Sequence, residues 1–199
     1  MKALRRFVTW KTRNGGVQRK RRNRGGNGYT PTERCAIERK RPGCGFRHVA
    51  TQDEVYQFLQ IIPNWTEYAV GLERVLLDEG SKYRSGWFAR GTIALCAFPT
   101  DLIVEFESEF FYRDIDFFKK FQVQWDTSDE ERFEVILTRS QAKYFALMRT
   151  LLHELGHHWD LATNRRSWCT RGESYAEDFG RRMESEIFND YVSVFGVPT

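Results

Sequence analysis

The 199-residue chain reads as an α+β domain with a short mixed sheet, a long helix carrying His-Glu-x-x-His, and a C-terminal helix bearing an acidic cluster. Three observations predict this. Segments 72–77, 87–98, 122–125 and 133–137 are short, rich in β-branched or aromatic residues, and bounded by turn residues. Apolar residues recur at three- and four-residue steps through Phe145, Met148, Leu151, Leu152 and Leu155, and again through Ala176, Phe179, Met183, Ile187 and Tyr191. A hydrophobic content of 41%, with 16 Phe, 8 Tyr and 6 Trp, is enough to fill one sizeable core.

Charge divides the chain. Residues 1–48 hold 15 Lys/Arg and 2 Glu, whereas the rest holds 16 basic and 25 acidic residues. The first stretch, 1–27, includes Arg19-Lys20-Arg21-Arg22-Asn23-Arg24-Gly25-Gly26, a run of like charges that cannot pack a core. We read it as a basic arm attached to a domain spanning 28–199. Such an arm can contact nucleic-acid phosphates or an acidic partner, or rest against the chain's own acidic body. Trp10 and Tyr29 only flank the basic run, which argues against base stacking on a single strand. No secretory apolar region follows Met1-Lys2-Ala3-Leu4-Arg5-Arg6, and no apolar run reaches membrane-spanning length. The expectation is a cytoplasmic protein with no membrane partner, in which Cys35, Cys44, Cys96 and Cys169 stay reduced. Cys35, Cys44 and His48 lack the tight Cys-x2-Cys pair of a structural zinc site.

Taken in order, Thr51-Gln52-Asp53-Glu54 is a capping box that opens a helix ending before Pro63. Leu72–Leu77 is a strand. Trp87–Phe98 is read as one further strand, with Gly91 as a bulge. Phe106, Phe110, Phe111, Ile115, Phe117, Phe118 and Phe121 fit helical spacing, so one helix is expected over about 107–120, its aromatics buried. The runs 122–125 and 133–137 flank Asp126-Thr127-Ser128-Asp129 as a hairpin. A helix capped by Thr138 or Ser140 then runs to about residue 160. After a loop over 163–171, the last helix begins near Glu173. Gly180 on it permits close approach to the preceding helix.

The chemistry sits in Leu151-Leu152-His153-Glu154-Leu155-Gly156-His157-His158-Trp159-Asp160. His153 and His157 are four residues apart, so both rings leave one helix face a turn apart and can share one tetrahedral Zn²⁺. Glu154 stands on the flank where a carboxylate can accept a proton. A catalytic zinc takes three protein ligands and keeps one position open. Gly172-Glu173-Ser174-Tyr175-Ala176-Glu177-Asp178 offers the third, Glu173 lying 16 residues past His157. His158 is about 100° round the helix from His157 and lies off the ligand face. That leaves it a supporting, substrate-contacting or simply exposed residue.

His-Glu-x-x-His followed by Glu-x-x-x-Glu resembles the gluzincin metallopeptidases. Glu173-Ser174-Tyr175-Ala176-Glu177 is similar to the third-ligand segment of the aminopeptidase-type members, and His-Glu-Leu-Gly-His to the small ImmA/IrrE-type peptidases. The resemblance covers roughly residues 70–190. It implies a minimal zincin fold, zinc held by His153, His157 and Glu173, and Glu154 as general base. It also implies that Glu177 accepts from the His153 ring, and that an edge strand beside the active helix, for which 91–97 is the candidate, pairs with the substrate main chain. The 16-residue gap is shorter than in the large gluzincins, and Gly172 stands where Asn often precedes the ligand. The expected function is zinc-dependent hydrolysis of peptide bonds in a protein or peptide substrate. The alternative is a zinc-stabilised module that binds nucleic acid or protein without turnover. For transition-state stabilisation the candidates are Tyr175, Tyr191 and His158.

Overall fold

The computed structural model describes residues 35–129, 131–164 and 171–199. The basic arm and the first residues of the domain expected from residue 28 lie outside them, as does Cys169. The elements of the first half are β1 (Ala36–Arg39), β2 (Phe46–Arg47), α1 (Gln52–Ile61), α2 (Trp65–Tyr68), β3 (Arg74–Asp78), β4 (Gly86–Ala89), β5 (Thr92–Cys96) and β6 (Phe98–Pro99). The second half holds β7 (Ile103–Glu107), α3 (Ser108–Arg113), α4 (Ile115–Lys120), β8 (Gln124–Asp129), β9 (Arg132–Ile136), α5 (Arg139–Tyr144), a π-helical stretch (Phe145–Leu151), α6 (Leu152–Thr163) and α7 (Gly172–Phe195). The architecture is α+β with a small mixed sheet.

That sheet has the order β1-β3-β5-β4, with β1, β3 and β5 parallel and β4 antiparallel to β5. Every residue of β5 is buried, the continuous apolar reading of an interior strand. Here the expected single strand over 87–98 is corrected. It is a hairpin, with Arg90 and Gly91 between the paired Ala89 and Thr92. Gly91 is a turn residue, taking the left-handed φ of 72° that the reversal needs. The segment 91–97 is therefore no edge strand; β4 is the edge. Asp78, at the end of β3, anchors that edge by accepting from Trp87 Nε1 (2.8 Å) and Lys40 Nζ (2.9 Å).

A second sheet, β7-β9-β8, contains the expected hairpin of β8 and β9, but residues 126–129, expected as its turn, continue β8 in pairing with β9, and β7 is added on the other side of β9. The single helix expected over 107–120 is corrected too. Residues 103–107 form β7, and the helical part breaks at Asp114 into α3 and α4. Asp114 is 2% exposed, and the guanidiniums of Arg113, Arg149 and Arg181 stand 3.4, 3.5 and 3.8 Å from its carboxylate. Arg149 and Arg181 reach Asp114 from distant parts of the chain, contacts invisible to local periodicity. The aromatics are core, as expected. Phe111 stacks on Phe133 with ring centres 3.8 Å apart, and Phe117 on Tyr144 at 5.3 Å. Each such fully buried ring contributes roughly 1.5–3 kcal/mol of transfer free energy.

The capping box at Thr51 is formed, Thr51 Oγ1 accepting from the Glu54 amide (3.2 Å) and Glu54 Oε2 from the Thr51 amide (2.7 Å). Thr138, rather than Ser140, caps α5, in a second box with Gln141. The helix that follows is not uniform. Between α5 and α6 the chain passes through seven π-helical residues, in which only Arg149 is not fully buried. This stretch packs against β5 and α7, and α6 packs against α7, β4 and β5.

Candidate metal centre

The site lies where α6 crosses α7. Leu152 to His158 are all buried, so the His-Glu-x-x-His turn is enclosed by protein on both flanks. Glycine sets the depth of the crossing. A methyl group on Gly156 would stand 2.8 Å from Ala176 Cα, and one on Gly180 would stand 3.3 Å from the His153 amide nitrogen. Gly180 does permit the approach expected of it, but Gly156, inside the motif itself, is the tighter point.

Close approach brings the three expected ligands together. His153 Nε2 and His157 Nε2 are 3.2 Å apart, and Glu173 spreads its carboxylate across both rings, Oε2 lying 3.3 Å from the first and Oε1 3.4 Å from the second. A tetrahedral zinc with bonds of about 2.0–2.1 Å requires donor separations of roughly 3.3–3.4 Å. The donors therefore fit such an ion in number, type and spacing. Among the described residues, His153, His157 and Glu173 are the group of this kind. The Glu173 side chain remains 52% exposed, so the group opens to solvent on that side.

Support extends one layer outward. Glu177 Oε2 lies 3.5 Å from His153 Nδ1, the position implied by the family resemblance. Its other oxygen accepts from Arg181 Nε at 2.8 Å, and Arg181 Nη2 donates to the Arg113 carbonyl at 2.7 Å. At the far end of α6, Asp160 is fully buried and accepts from the Arg171 amide (3.0 Å) and Arg171 Nε (2.7 Å). Asp160 thus ties the end of the histidine helix to the residue two places before Glu173. Sequence reasoning missed this brace, although the position of Asp160, three residues past His157, was the available signal. The arginines behind Glu177 carried none.

Electrostatics follow the geometry. Burial pushes the Glu154 carboxyl up to about 7, against the pull of His153 and His157. For His153, burial alone would lower the ring, but hydrogen bonding to Glu173 and Glu177 raises it to about 9. Burial likewise disfavours the charged forms of Glu173 and Glu177. Both imidazoles outweigh it at Glu173, and His153 with the Arg113 and Arg181 guanidiniums outweighs it at Glu177, so that both acids are held at about 2.

Three secondary candidates fall outside the group. His158 is 4% exposed, its Nε2 is 3.1 Å from the Val70 carbonyl, and its ring meets Phe88 edge-on, so it braces the loop before β3 instead of meeting substrate. Tyr191 is 1% exposed and packs edge-on against Tyr144 and Phe58, which makes it core. Tyr175 lies beneath the Arg171 guanidinium, 3.9 Å from the ring centre, where it helps seat the start of α7.

Fold and site together define an α+β protein with a His₂Glu group spaced for a metal ion. Comparison of the chain with known protein families, curated proteins and solved structures finds no match.

Proposed function

We propose that this chain is a zinc-dependent peptidase of the gluzincin type. The observation that carries the reading is the junction of a tetrahedrally spaced His153/His157/Glu173 group with a buried carboxyl at Glu154, one oxygen of which has no hydrogen-bond partner among the described residues. Enclosing that oxygen, Glu154 Oε2, carries a cost that a proton-handling role explains. His153, His157 and Glu173 would hold a Zn²⁺, which would supply Lewis acidity to activate a water and the scissile carbonyl. Glu154 takes the proton of the attacking water and returns it to the leaving amine. Glu177, 3.5 Å from His153 Nδ1, would accept from that nitrogen and keep Nε2 facing His157 and Glu173. Asp160 keeps Glu173 in reach through Arg171. The free edge of β4 is the strand we assign to the substrate main chain, by backbone pairing.

The substrate is a protein or peptide. We place the protein in the cytoplasm, a reading supported by the unpaired thiols of Cys35, Cys44 and Cys96. Among the described residues no helix is long and apolar enough to cross a membrane.

The test is elemental analysis of the purified protein with a peptide-library digest, on the native chain and on Glu154→Gln. The expected result is about one zinc per chain in both and cleavage in the native chain alone. Zinc in both with cleavage in neither leaves a zinc-stabilised module that binds protein or nucleic acid. Absence of zinc after purification without chelator, and after added zinc, overturns the metal reading itself.

A further inference from the structure

A cavity of about 30 Å³ lies beside the candidate metal centre, between Ser85 ahead of β4, the π-helical stretch, the end of α3 and α7, and His153 and Glu154 form part of its wall. Six buried side-chain atoms with no hydrogen-bond partner among the described residues belong to residues lining it. They are Ser85 Oγ, Arg113 Nε, Arg149 Nε and Nη1, Thr150 Oγ1 and Glu154 Oε2. Buried polar groups of a native fold are normally paired, so such a concentration in one place points to a ligand.

The type of each atom narrows the class. Glu154 apart, every one is an N–H or O–H donor, and three are guanidinium nitrogens. Neighbouring carboxylates do not satisfy them. Glu184 stands 3.2 Å from Arg149 Nε, Asp114 3.5 Å from Arg149 Nη1 and Glu177 3.9 Å from Arg113 Nε, ion-pair distances that meet no hydrogen-bond geometry. Around the cavity the guanidiniums of Arg113, Arg149 and Arg181 face the carboxyls of Asp114 and Glu177, beside Glu154. Burial, moreover, pushes Asp114 up toward its neutral form in spite of the three guanidiniums. What fits is a small acceptor-only group with negative charge. A volume of about 30 Å³ holds roughly two waters, the space of one carboxylate head.

We propose that this cavity is a subsite for a substrate carboxylate, held by the N–H groups of Arg113 and Arg149 and the hydroxyls of Ser85 and Thr150. The proposal rests on the peptidase reading and names its substrate class: peptides bearing a carboxylate next to the scissile bond. That carboxylate comes from an acidic side chain or from a free chain end, two sources with the same chemistry.

Three probes separate them by ligand-observed NMR on the zinc-treated full chain, with its metal content measured alongside. N-acetyl-glutamate α-amide carries only the side-chain carboxylate, N-acetyl-glutamine only the terminal one, and N-acetyl-glutaminamide neither. One or both carboxylates should bind about ten-fold more tightly than the uncharged probe. Thr150→Val should weaken that binding about five-fold while leaving Tm unchanged or raised, because a buried hydroxyl without a partner gives way to a methyl of the same shape. Arg149→Gln should weaken it further. As Arg149 also pairs with Asp114 and Glu184, the Thr150 variant decides if the Arg149 variant fails to fold. Equal binding of all three probes, binding of none, or native affinity in Thr150→Val would overturn the proposal. That last result also exposes a carboxylate that merely ligates the metal. Because the readout is binding, a chain that never cleaves peptides can still pass this test, and one that cleaves neutral peptides can still fail it.

Discussion

Glu154 is 2% exposed and next in sequence to a metal-ligand candidate, which makes it the most informative single residue. Replacing it with Gln keeps its volume and removes its basicity. The expected outcome is a fall in peptide turnover of at least about 10²-fold, with zinc content and Tm preserved, measured by a digest beside elemental analysis. Asp160 makes the complementary prediction. Its Asn variant loses the charge that holds the Arg171 guanidinium and amide. Glu173 should then wander, and zinc affinity should drop by about 10- to 100-fold, the range typical of supporting partners. A competition titration with a chelating dye measures this. Native zinc affinity in Asp160→Asn would mean that Glu173 is positioned by helix packing alone.

At the scale of elements, the crossing of α6 and α7 decides whether a site exists. Gly156→Ala places a methyl 2.8 Å from Ala176 Cα and 3.0 Å from its carbonyl oxygen, both backbone atoms that cannot rotate away. Overpacking of this kind costs about 1–3 kcal/mol, and separating the helices also moves Glu173 from the histidines. Lower Tm and lower zinc content should therefore appear together in thermal melts and elemental analysis. The β3–β4 junction makes a pH prediction. Burial of Asp78 opposes ionisation, but hydrogen bonds from Lys40 and Trp87 outweigh it and hold its carboxyl below the ordinary Asp value. A carboxyl depressed in the folded state contributes stability above its unfolded pKa, and that contribution is lost as pH falls through the folded value. Melts of the native chain should lose Tm below about pH 4 more steeply than melts of Asp78→Asn.

For the whole molecule, metal should act as a folding ligand as well as a catalytic one. The three donors come from two helices that the 164–171 connection joins, so an ion bound to all three would hold α6 against α7. Zinc at about 1,000 times its Kd stabilises by about 4 kcal/mol, and chelation should lower Tm by several degrees in differential scanning fluorimetry. An unchanged Tm after complete zinc removal would mean that the apo packing alone forms the crossing.

How much of this was legible in the chain varies with the range of the interactions involved. Local patterns read correctly: the Thr51 box, the presence of the β8–β9 hairpin though not its turn, the histidine pair at helical spacing, and Glu173 and Glu177 one turn apart on a following helix. Each depends on residues within a few positions of one another, where backbone geometry alone dictates which side chains share a face. Three features eluded local reading because distant residues decide them. Period alone did not separate β4 from β5, and pairing with β3 made β5 the interior strand. Asp114 stands at the break in an otherwise helical aromatic run, where Arg149 and Arg181, distant in sequence, join its neighbour Arg113 around it. His158 follows the second histidine directly, but packing against Val70 and Phe88 took it into the interior. The histidine pair of the candidate metal-ligand group was thus written into the chain by helical spacing. The separation of the group's donors, the brace at Asp160 and the donor-lined cavity beside it came only with tertiary packing, since two glycines and a buried charge network determine how closely the helices meet.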